Sequence, residues 1–320
     1  MSEPLISVIM PCYNHARFLP EAVESVQAQN YRSLECIIVN DGSSDNTAEV
    51  AISLLANDSR IRLVNQTNGG LAAARNRGLC EARGELVHFL DADDYILPEM
   101  YARMAEIFQR SPDVSLVYSG YQFVNSGGSS LKSFSAPAKP ADVFHELLEH
   151  NLWPCHAIMV RKSAIDSVGY FAEGLQGCED WDLWLRLAAV GTKFASLNGT
   201  FACYRRLSDS MSSNGWHMIK VGFAVIERNS HWHKNCRLCK SAAIRGRKRW
   251  CGYCGIRVRS ELRPRMIEKS FVYLALFLRI ARVDLRLSCW MLSILFRKLI
   301  RLAGLGGTKS SVPEPSTPID

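Results

Sequence analysis

The chain has 320 residues, of which 48% are hydrophobic and 22% are charged, and its formal net charge at pH 7 is +7. These values are ordinary for a globular protein, and the length allows one large domain or two modest ones. The 11 cysteines, an odd number that lies mostly in apolar segments, argue against a disulfide framework and favour a reducing compartment. The N-terminus, Met1 to Pro4, lacks a basic region, so the sequence predicts no signal peptide.

Charge is divided unevenly along the chain. Residues 228–303 contain 19 lysines and arginines and three acidic residues, which leaves 19 basic and 28 acidic residues for the remainder. An acidic body with a basic C-terminal quarter indicates two tasks on two segments. We therefore predict a globular domain over residues 1–225, a basic extension over 226–303, and a disordered tail rich in Gly, Ser and Pro over 304–320.

The first 94 residues alternate between short apolar runs and amphipathic stretches. Strands are predicted at 5–10, 34–39, 61–65 and 86–90, with helices at 17–29, 47–55 and 71–82 between them. This rhythm predicts an α/β fold with a mainly parallel sheet flanked by helices. Ligands of such sheets bind where strands end, so one edge should be lined by the loops at 11–14, 40–45, 68–70 and 91–94.

The strand at 86–90 ends in three carboxylates, those of Asp91, Asp93 and Asp94. Because side chains alternate along a strand, Asp91 and Asp93 point the same way and repel each other unless a cation or hydrogen bonds neutralise them. Magnesium is usually held by one or two carboxylates together with substrate phosphates, so this spacing favours a metal–diphosphate site. The alternative is a solvated acidic turn before the next helix.

The other loops carry groups that suit a nucleotide. Tyr13 could stack on a base or belong to the core, and Asp41 could bind a base or ribose or merely close its own turn. The turn at Asn68 and Gly69 places backbone N–H groups at a helix N-terminus, which favours an anion. Arg75 in that helix could reach a phosphate or be solvated at the surface. A dinucleotide-binding Rossmann domain is improbable because the first loop lacks the glycines of G-x-G-x-x-G.

Four motifs, P-x-Y-N, V-N-D-G-S-S-D, N-G-G-L-A-A-A-R-N-x-G and F-L-D-A-D-D, occur in this order over residues 8–94. Together they resemble family 2 glycosyltransferases, inverting enzymes with the GT-A fold, and the resemblance covers residues 5–215. It implies a nucleotide-sugar donor, in the first place a UDP-sugar, and a divalent metal, Mg²⁺ or Mn²⁺. The donor-binding residues that it implies are Pro11, Tyr13, Asn14, Asp41, Asn68, Gly69, Arg75 and Asp91.

The resemblance also implies separate roles for four of these positions. Asp41 would hold the base, and Arg75 would lie near the diphosphate. Asp91 would contact the ribose side and serve as a second metal ligand. Asp93 would bind the metal directly.

Beyond residue 94, the pattern predicts a helix at 98–111, strands at 114–118 and 157–160, and a mobile loop at 125–140. Another helix begins near Glu179 and Asp180, whose charges suit the positive end of its dipole. Sugar transfer needs a carboxylate that takes the proton of the acceptor hydroxyl. The stretch E-D-W-D-L-W-L-R resembles the E-D motif of the family, which implies Asp180 as the general base and Glu179 as the second choice.

Residues 202–212 resemble the loop that closes the catalytic region in this family. Leu207 stands where the family often has a histidine. A possible contact to metal or phosphate is therefore missing, which leaves the closing role to Arg205, Arg206 or the serines that follow.

The basic extension contains two C-x₂-C pairs, preceded by His231 and His233. Four thiolates so paired can enclose a structural Zn²⁺. One alternative is an ordinary helix through this segment, and another is a basic zinc module that binds nucleic acid. The acidic body gives little reason for nucleic-acid binding. The predicted ligands are Cys236, Cys239, Cys251 and Cys254.

Residues 271–303 are apolar but interrupted by arginines, and no run reaches the ~20 residues of a membrane-spanning helix. The arginines fall on one helical face, which predicts an amphipathic helix in a membrane interface that meets anionic headgroups. The alternative is a helix packed on the globular domain. We therefore expect a cytoplasmic protein that is peripheral on the inner face of the membrane.

The predicted architecture is a GT-A-like mixed, mainly parallel sheet with a basic helical C-terminal extension. The predicted activity is metal-dependent transfer of a hexosyl or N-acetylhexosaminyl group from a nucleotide-diphosphate donor. The acceptor would be a glycan or a lipid-linked molecule of cell-envelope polysaccharide synthesis. The alternative is a non-catalytic or nucleic-acid-binding protein that uses the basic C-x₂-C pairs.

Overall fold

A computed structural model describes residues 3–136, 140–207, 210–213 and 215–261. The predicted amphipathic helix at 271–303 and the predicted tail at 304–320 lie outside the described residues.

The N-terminal half is the predicted alternation of strands and helices. Strands β1 to β4 pair in parallel in the order β3-β2-β1-β4. The residues of β1, β2 and β4 are buried on both faces, as is typical of a parallel sheet between two layers of helices, whereas β3 at the edge is only partly buried. The elements are β1 (Ile6–Cys12), α1 (Leu19–Gln27), β2 (Leu34–Asp41), α2 (Thr47–Leu55), β3 (Ile61–Gln66), α3 (Leu71–Glu81) and β4 (Leu86–Phe89).

The second half extends the sheet with strands of both directions. The elements are β5 (Tyr95–Ile96), α4 (Met100–Arg110), β6 (Val114–Val124), β7 (Ser130–Phe134), α5 (Val143–Glu149), β8 (Ile158–Arg161), α6 (Lys162–Val168), α7 (Glu179–Ala189), β9 (Lys193–Arg205), α8 (Gly215–Asn229) and α9 (Arg237–Glu261). The sheet order is β3-β2-β1-β4-β8-β6-β9-β5, and β7 pairs with β6. Because β8 is antiparallel to β4 and β6, and β6 is parallel to β9, the sheet is mixed.

Several segments differ from the sequence prediction. The loop predicted at 125–140 contains β7, an exposed strand that pairs with the end of β6. The segment at 202–212 begins as the last residues of β9. The predicted domain boundary at 225/226 falls within α8, and the described residues up to 257 pack as one unit.

Alternate residues of β1 enter two hydrophobic clusters on opposite faces of the sheet. Ile9 lies in the cluster that includes residues of α3 and α7, and Val8 and Met10 lie in the cluster that includes residues of α1 and α4. Each fully buried aliphatic side chain contributes about 1.5–3 kcal/mol to folding. Packing on both faces therefore holds β1 in place, so residues at its C-terminal end are rigidly positioned.

Helix α3 lies unusually close to the sheet. A Cβ atom on Gly78 would meet Ile9 Cγ2 at 2.3 Å, so glycine is needed at this crossing. Arg75 is three residues earlier and shares the buried side of the helix. The close packing of α3 on β1 thus allows the Arg75 guanidinium to reach Asp91, in the turn that follows β4.

The strand register aligns the loops of the site. Cys12 at the end of β1 pairs with Asn40 of β2, which pairs in turn with Asn65 of β3. On the other side, Ile9 pairs with Phe89 of β4. The loops after β1, β2 and β4 therefore leave the sheet at one edge, as predicted.

Candidate active site

Asn14 joins the loop after β1 to the loop after β2. Its Oδ1 accepts hydrogen bonds from the backbone N–H groups of Ser44 and Asp45, at 2.8 and 3.3 Å, and its own N–H donates to Ser43 Oγ at 3.0 Å. Asn14 adopts a left-handed backbone conformation with φ 56°, which asparagine tolerates better than most residues. The neighbouring Tyr13 side chain is 47% exposed, and Pro11 is buried in β1.

Asp41 is buried at the end of β2 and organises the turn into α3. Its Oδ1 accepts from Gln66 Nε2 at 2.7 Å and from Gly69 N at 2.8 Å, and its Oδ2 accepts from Gly70 N at 2.9 Å. These N–H groups were predicted to bind an anion, and they bind the Asp41 carboxylate. Asn68, next to them in the turn, is exposed.

Arg75 is 2% exposed and joins two carboxylates from distant parts of the chain. Its Nη2 donates to Asp91 Oδ1 at 2.6 Å, and its Nη1 donates to Glu179 Oε1 at 2.5 Å. The sequence prediction placed Arg75 beside a diphosphate. In the structure, its two terminal nitrogens connect the end of β4 to the start of α7.

The three carboxylates after β4 have different surroundings. Asp94 is buried and accepts from Arg205 N at 2.7 Å, and its Oδ2 lies 2.9 Å from His156 Nδ1. The Asp91 side chain is 27% exposed and is bound by Arg75. Asp93 is half-buried, and its carboxylate has no side-chain partner among the described residues. Burial, Asp94 and Asp91 raise the pKa of Asp93 to about 8.

This arrangement fits a hard divalent cation. Oxygen ligands are what Mg²⁺ and Mn²⁺ prefer, and Asp93 and Asp91 both offer oxygen atoms near the surface. Asp91, Asp94 and His156 also place possible ligand atoms within 4.8 Å of one another. Asp94 and His156 bind each other and Arg75 binds Asp91 Oδ1, so among the described residues Asp93 and Asp91 Oδ2 would be the oxygen atoms to hold a cation.

Arg205, at the end of β9, ties the acidic turn to its neighbours. It is buried, its Nε donates to Asp93 O at 2.8 Å, and its Nη1 donates to Ser126 O at 3.0 Å. Its Nη2 donates to Glu21 Oε2 of α1 at 2.5 Å. Arg205 therefore fixes the backbone around Asp93 and Asp94 and links it to α1 and to the turn after β6.

Helix α7 begins at the site with two acidic residues, Glu179 and Asp180, that differ in burial and in hydrogen-bond partners. Cys178, just before it, has φ 54°, a strained conformation for a residue other than glycine and one that is frequent at functional sites. Glu179 is 2% exposed and bound to Arg75, and burial raises its pKa to about 7 although Arg75 acts in the opposite direction. Glu179 is thus a buried partner of Arg75.

Asp180 is more exposed than Glu179 and is held by two donors. Trp181 N donates to its Oδ1 at 2.7 Å, and Asn151 Nδ2 donates to its Oδ2 at 3.2 Å. Burial raises the pKa of Asp180, against the opposing effects of Arg75 and these two donors. Asp180 is therefore the more accessible acid of this pair.

Sequence reasoning missed two residues that complete the site, Asn151 and His156, and it named Arg205 only as one of several candidates for a closing role. Asn151 follows α5 and carries no motif that would mark it. His156 lies in a stretch, W-P-C-H, that is visible in the sequence, but only the fold places it against Asp94. The remaining predicted residues converge on one edge of the sheet, with the Asn14–Asp41 group at one end and the Asp93–Asp180 group at the other.

The predicted ligand set of four cysteines is wrong. Cys239 and Cys251 lie on the single continuous helix α9. Twelve residues of α-helix span about 18 Å, so one ion cannot bind both pairs. The alternative, an ordinary helix through Cys239, is the one that forms.

Among the described residues, no helix combines the length and the hydropathy needed to cross a membrane.

The chain was compared with protein families and with individual proteins. The sequence pattern described as Glycosyl transferase family 2 matches residues 7–169. Hyaluronan synthase of Pasteurella multocida is 33% identical over 230 residues, which is 72% of this chain and 22% of that protein. Chondroitin synthase of Pasteurella multocida (strain Pm70) is 33% identical over 205 residues, or 64% of this chain and 20% of that protein. The chain therefore spans only about a fifth of the length of these two curated relatives.

Solved structures give the fold independently of close sequence similarity. The crystal structure of S. aureus TarS residues 1–349 with UDP has a TM-score of 0.62 at 21% identity, covering 88% of this chain and 82% of that one. The mannosyltransferase PcManGT of Pyrobaculum calidifontis with GDP-Man and Mn²⁺ has a TM-score of 0.56 at 17% identity, covering 93% of this chain and 88% of that one.

Proposed function

The chain belongs to glycosyl transferase family 2 and has the GT-A fold, and on this basis we propose that it is an inverting transferase of sugars from a nucleotide-diphosphate donor. The observation that supports this most is that one buried arginine, Arg75, binds both Asp91 and Glu179, the close sequence neighbours of Asp93 and Asp180. The carboxylates that would bind a cation and the carboxylate that would accept a proton then lie at the same edge of the sheet.

The donor is a UDP-sugar in this proposal. Tyr13 is exposed beside the Asn14 loop and offers a flat face for the base. Asp41 Oδ2 accepts a single hydrogen bond, from Gly70 N, so a lone pair is left for a base N–H. UDP and UDP-GlcNAc are bound in crystal structures of TarS, which supports a uridine nucleotide and an N-acetylhexosaminyl or hexosyl group.

Asp93 holds the divalent cation, with Asp91 as its neighbour and second ligand. When bound, Mg²⁺ or Mn²⁺ offsets the negative charge that builds on the leaving diphosphate. Arg205 and His156 keep the turn in place by binding the Asp93 carbonyl and the Asp94 carboxylate. Arg75 orients Asp91 and, in this proposal, acts as a positioning residue.

Asp180 is the general base. Its carboxylate takes the proton of the acceptor hydroxyl, whose oxygen then forms a bond to the anomeric carbon. The bond from that carbon to the diphosphate oxygen breaks on the opposite face, so the anomeric configuration inverts. Burial raises the pKa of Asp180 and makes its carboxylate a stronger base than an exposed aspartate. Glu179 cannot take this part because its side chain is buried against Arg75.

The acceptor is a glycan or a lipid-linked molecule of cell-envelope polysaccharide synthesis. Relatives named hyaluronan synthase and chondroitin synthase support a polysaccharide context. A protein on the inner face of the membrane would meet such an acceptor through residues 271–303, which lie outside the described part of the chain.

The test is a panel of nucleotide sugars incubated with the full chain, with Mg²⁺, with Mn²⁺ and with a chelator. The expected result is release of the nucleoside diphosphate from one or two UDP-sugars in a metal-dependent manner. Absence of turnover with every donor, together with salt-sensitive binding of nucleic acid, would favour the non-catalytic alternative instead.

A further inference from the structure

Four side chains from three segments converge outside the candidate active site. His145 lies on α5, His233 and Cys236 lie between α8 and α9, and Cys239 lies in the first turn of α9. One nitrogen or sulfur atom of each lies within 4.8 Å of the others. None of these cysteines is in a disulfide. Two imidazoles and two thiols are a donor set that zinc commonly takes in structural sites.

Three of the distances between these atoms are close to the sulfur–nitrogen edges of a tetrahedral zinc site. His145 Nε2 lies 3.3 Å from Cys239 Sγ and 3.6 Å from Cys236 Sγ, and His233 Nδ1 lies 3.5 Å from Cys239 Sγ. Zinc bonds of about 2.3 Å to sulfur and about 2.0 Å to nitrogen give a sulfur–nitrogen edge of about 3.6 Å in a tetrahedron. A single ion can therefore reach all of these atoms with little movement of the side chains.

The surrounding contacts are those that orient metal ligands. Asp142 Oδ2 lies 2.5 Å from His145 Nδ1, so Nε2 is left to face the cysteines. A carboxylate behind a ligating histidine fixes its ring and makes it a better ligand. The Cys239 N–H donates to Cys236 Sγ at 3.4 Å, and the Phe144 ring packs edge-on against His233 with centroids 4.7 Å apart.

We propose that His145, His233, Cys236 and Cys239 form a structural Zn²⁺ site. The two thiols lose their protons as the ion binds, so two protons are released for each Zn²⁺. All four positions are filled by the protein, which is typical of structural sites and leaves no position for a substrate. The inference holds whether or not the proposed glycosyl transfer is correct.

The ion would join α5 to the segment that connects α8 and α9. Helix α5 touches α7 through a hydrogen bond from Trp181 Nε1 to Leu147 O of 2.6 Å, and its C-terminal end leads to Asn151, the partner of Asp180. Because the four ligands come together only in the folded chain, the free energy of binding the ion adds to the stability of the fold. Zinc would thus stabilise α5, which contacts α7, without taking part in the candidate active site.

The experiment measures metal in the full chain purified without added metal or chelator. The expected content is about one zinc per chain. We expect it to fall at least fivefold in Cys239→Ser and in His145→Gln. The matched controls, Cys80→Ser at an exposed cysteine and Cys251→Ala on the same helix α9, should retain zinc. Zinc retained by Cys239→Ser, zinc lost from Cys251→Ala, or no zinc in the unchanged protein would overturn the proposal.

A second measurement does not depend on the folding of variants. Co²⁺ added to chelator-treated unchanged protein should give the strong visible absorption of a tetrahedral site with thiolate ligands, and Zn²⁺ should displace it. Alkylation followed by mass spectrometry should modify Cys236, the less buried of the two cysteines, only after chelation. A disulfide between these two cysteines in protein kept under reducing conditions, or equal alkylation with and without zinc, would contradict the site.

Discussion

Arg75 Nη1 and Glu179 Oε1 lie 2.5 Å apart in the interior, although 104 residues separate them in the chain. The same guanidinium binds Asp91, so three charged groups from the turn after β4, from α3 and from α7 form one unit. Removing one partner of a buried ion pair leaves an uncompensated buried charge. The resulting loss of folding stability is larger than that caused by removing one partner of a surface ion pair.

Arg75→Met should therefore lower the free energy of unfolding by about 3–5 kcal/mol, because Glu179 and Asp91 lose their buried partner. Urea denaturation followed by circular dichroism measures this change. The control is Arg77→Met on the same helix, where the side chain is 48% exposed and pairs only with Glu81. Its effect should stay below about 0.5 kcal/mol. Equal effects of the two substitutions would contradict the bridging role of Arg75.

Asp180→Asn should lower kcat by about 10²–10⁴-fold, since the acceptor hydroxyl loses its general base. Donor affinity, measured by isothermal titration with the nucleoside diphosphate and Mn²⁺, should not change. Asp166→Asn, at an exposed aspartate of α6, serves as the control. Activity that survives in Asp180→Asn and disappears in Glu179→Gln would assign the base to Glu179.

Asn151→Ala should move the acidic limb of the pH–kcat profile to higher pH. The Asn151 amide lowers the pKa of Asp180 by donating to its carboxylate, so its removal raises that pKa further. At low pH, a larger fraction of Asp180 is then protonated and inactive, whereas at high pH the rate should approach that of the unchanged protein. Asn57→Ala at the exposed end of α2 is the control. A uniform loss at every pH would instead indicate a general disturbance of α7.

Asp93→Asn should stabilise the metal-free protein at pH 8 and leave its stability near pH 3 unchanged. The pKa of Asp93 is raised to about 8 in the fold from its ordinary value of 3.8, so ionising it costs stability as the pH rises between these values. Thermal unfolding across this pH range measures the difference. Divalent cations should raise the Tm of the unchanged protein and not that of Asp93→Asn.

Asp94→Asn is the comparison for that experiment. Asp94 accepts from Arg205 N and faces His156, so its substitution should lower Tm with or without cations. A rise in Tm for Asp94→Asn, or a cation effect that persists in Asp93→Asn, would show that the metal ligands are assigned to the wrong carboxylates.

Gly78→Ala should destabilise the protein by about 1–3 kcal/mol because its methyl group would overlap Ile9 at the crossing of α3 and β1. The matched control is Gly252→Ala, also within a helix, where a methyl group would meet no atom within 4 Å. Alanine favours helix over glycine by up to about 1 kcal/mol, so this control should be neutral or stabilising. Opposite signs of the two changes in unfolding free energy would confirm the close crossing.

The sequence predicted the local elements of the N-terminal half well. The predicted bounds of α2, 47–55, are those observed, since the apolar periodicity and its flanking polar turns are both local. The second half was harder because its pairing is not local. β7 is exposed and short, and it forms only because the end of β6 is available beside it. Its Gly- and Ser-rich surroundings are typical of a loop.

The site was predictable where the chemistry lies in one motif and not where it depends on contacts across the fold. Asp93 and Asp180 could be named as candidates from their own sequence neighbourhoods. The partner of Arg75 on α7 does not, because a separation of 104 residues carries no periodic signal. In the same way, C-x₂-C spacing identified Cys236 and Cys239 as possible ligands, whereas His145 on α5 is brought to them only by packing.

The hydrogen bonds of Asn14 and Asp41 fasten three loops to one another without any nucleotide. A nucleotide base that stacks on Tyr13 would therefore contact loops whose conformation is already fixed. The conformational entropy of ordering these loops is then lost during folding and not when the nucleotide binds. We therefore expect the nucleotide to bind this part of the site with little rearrangement of the loops.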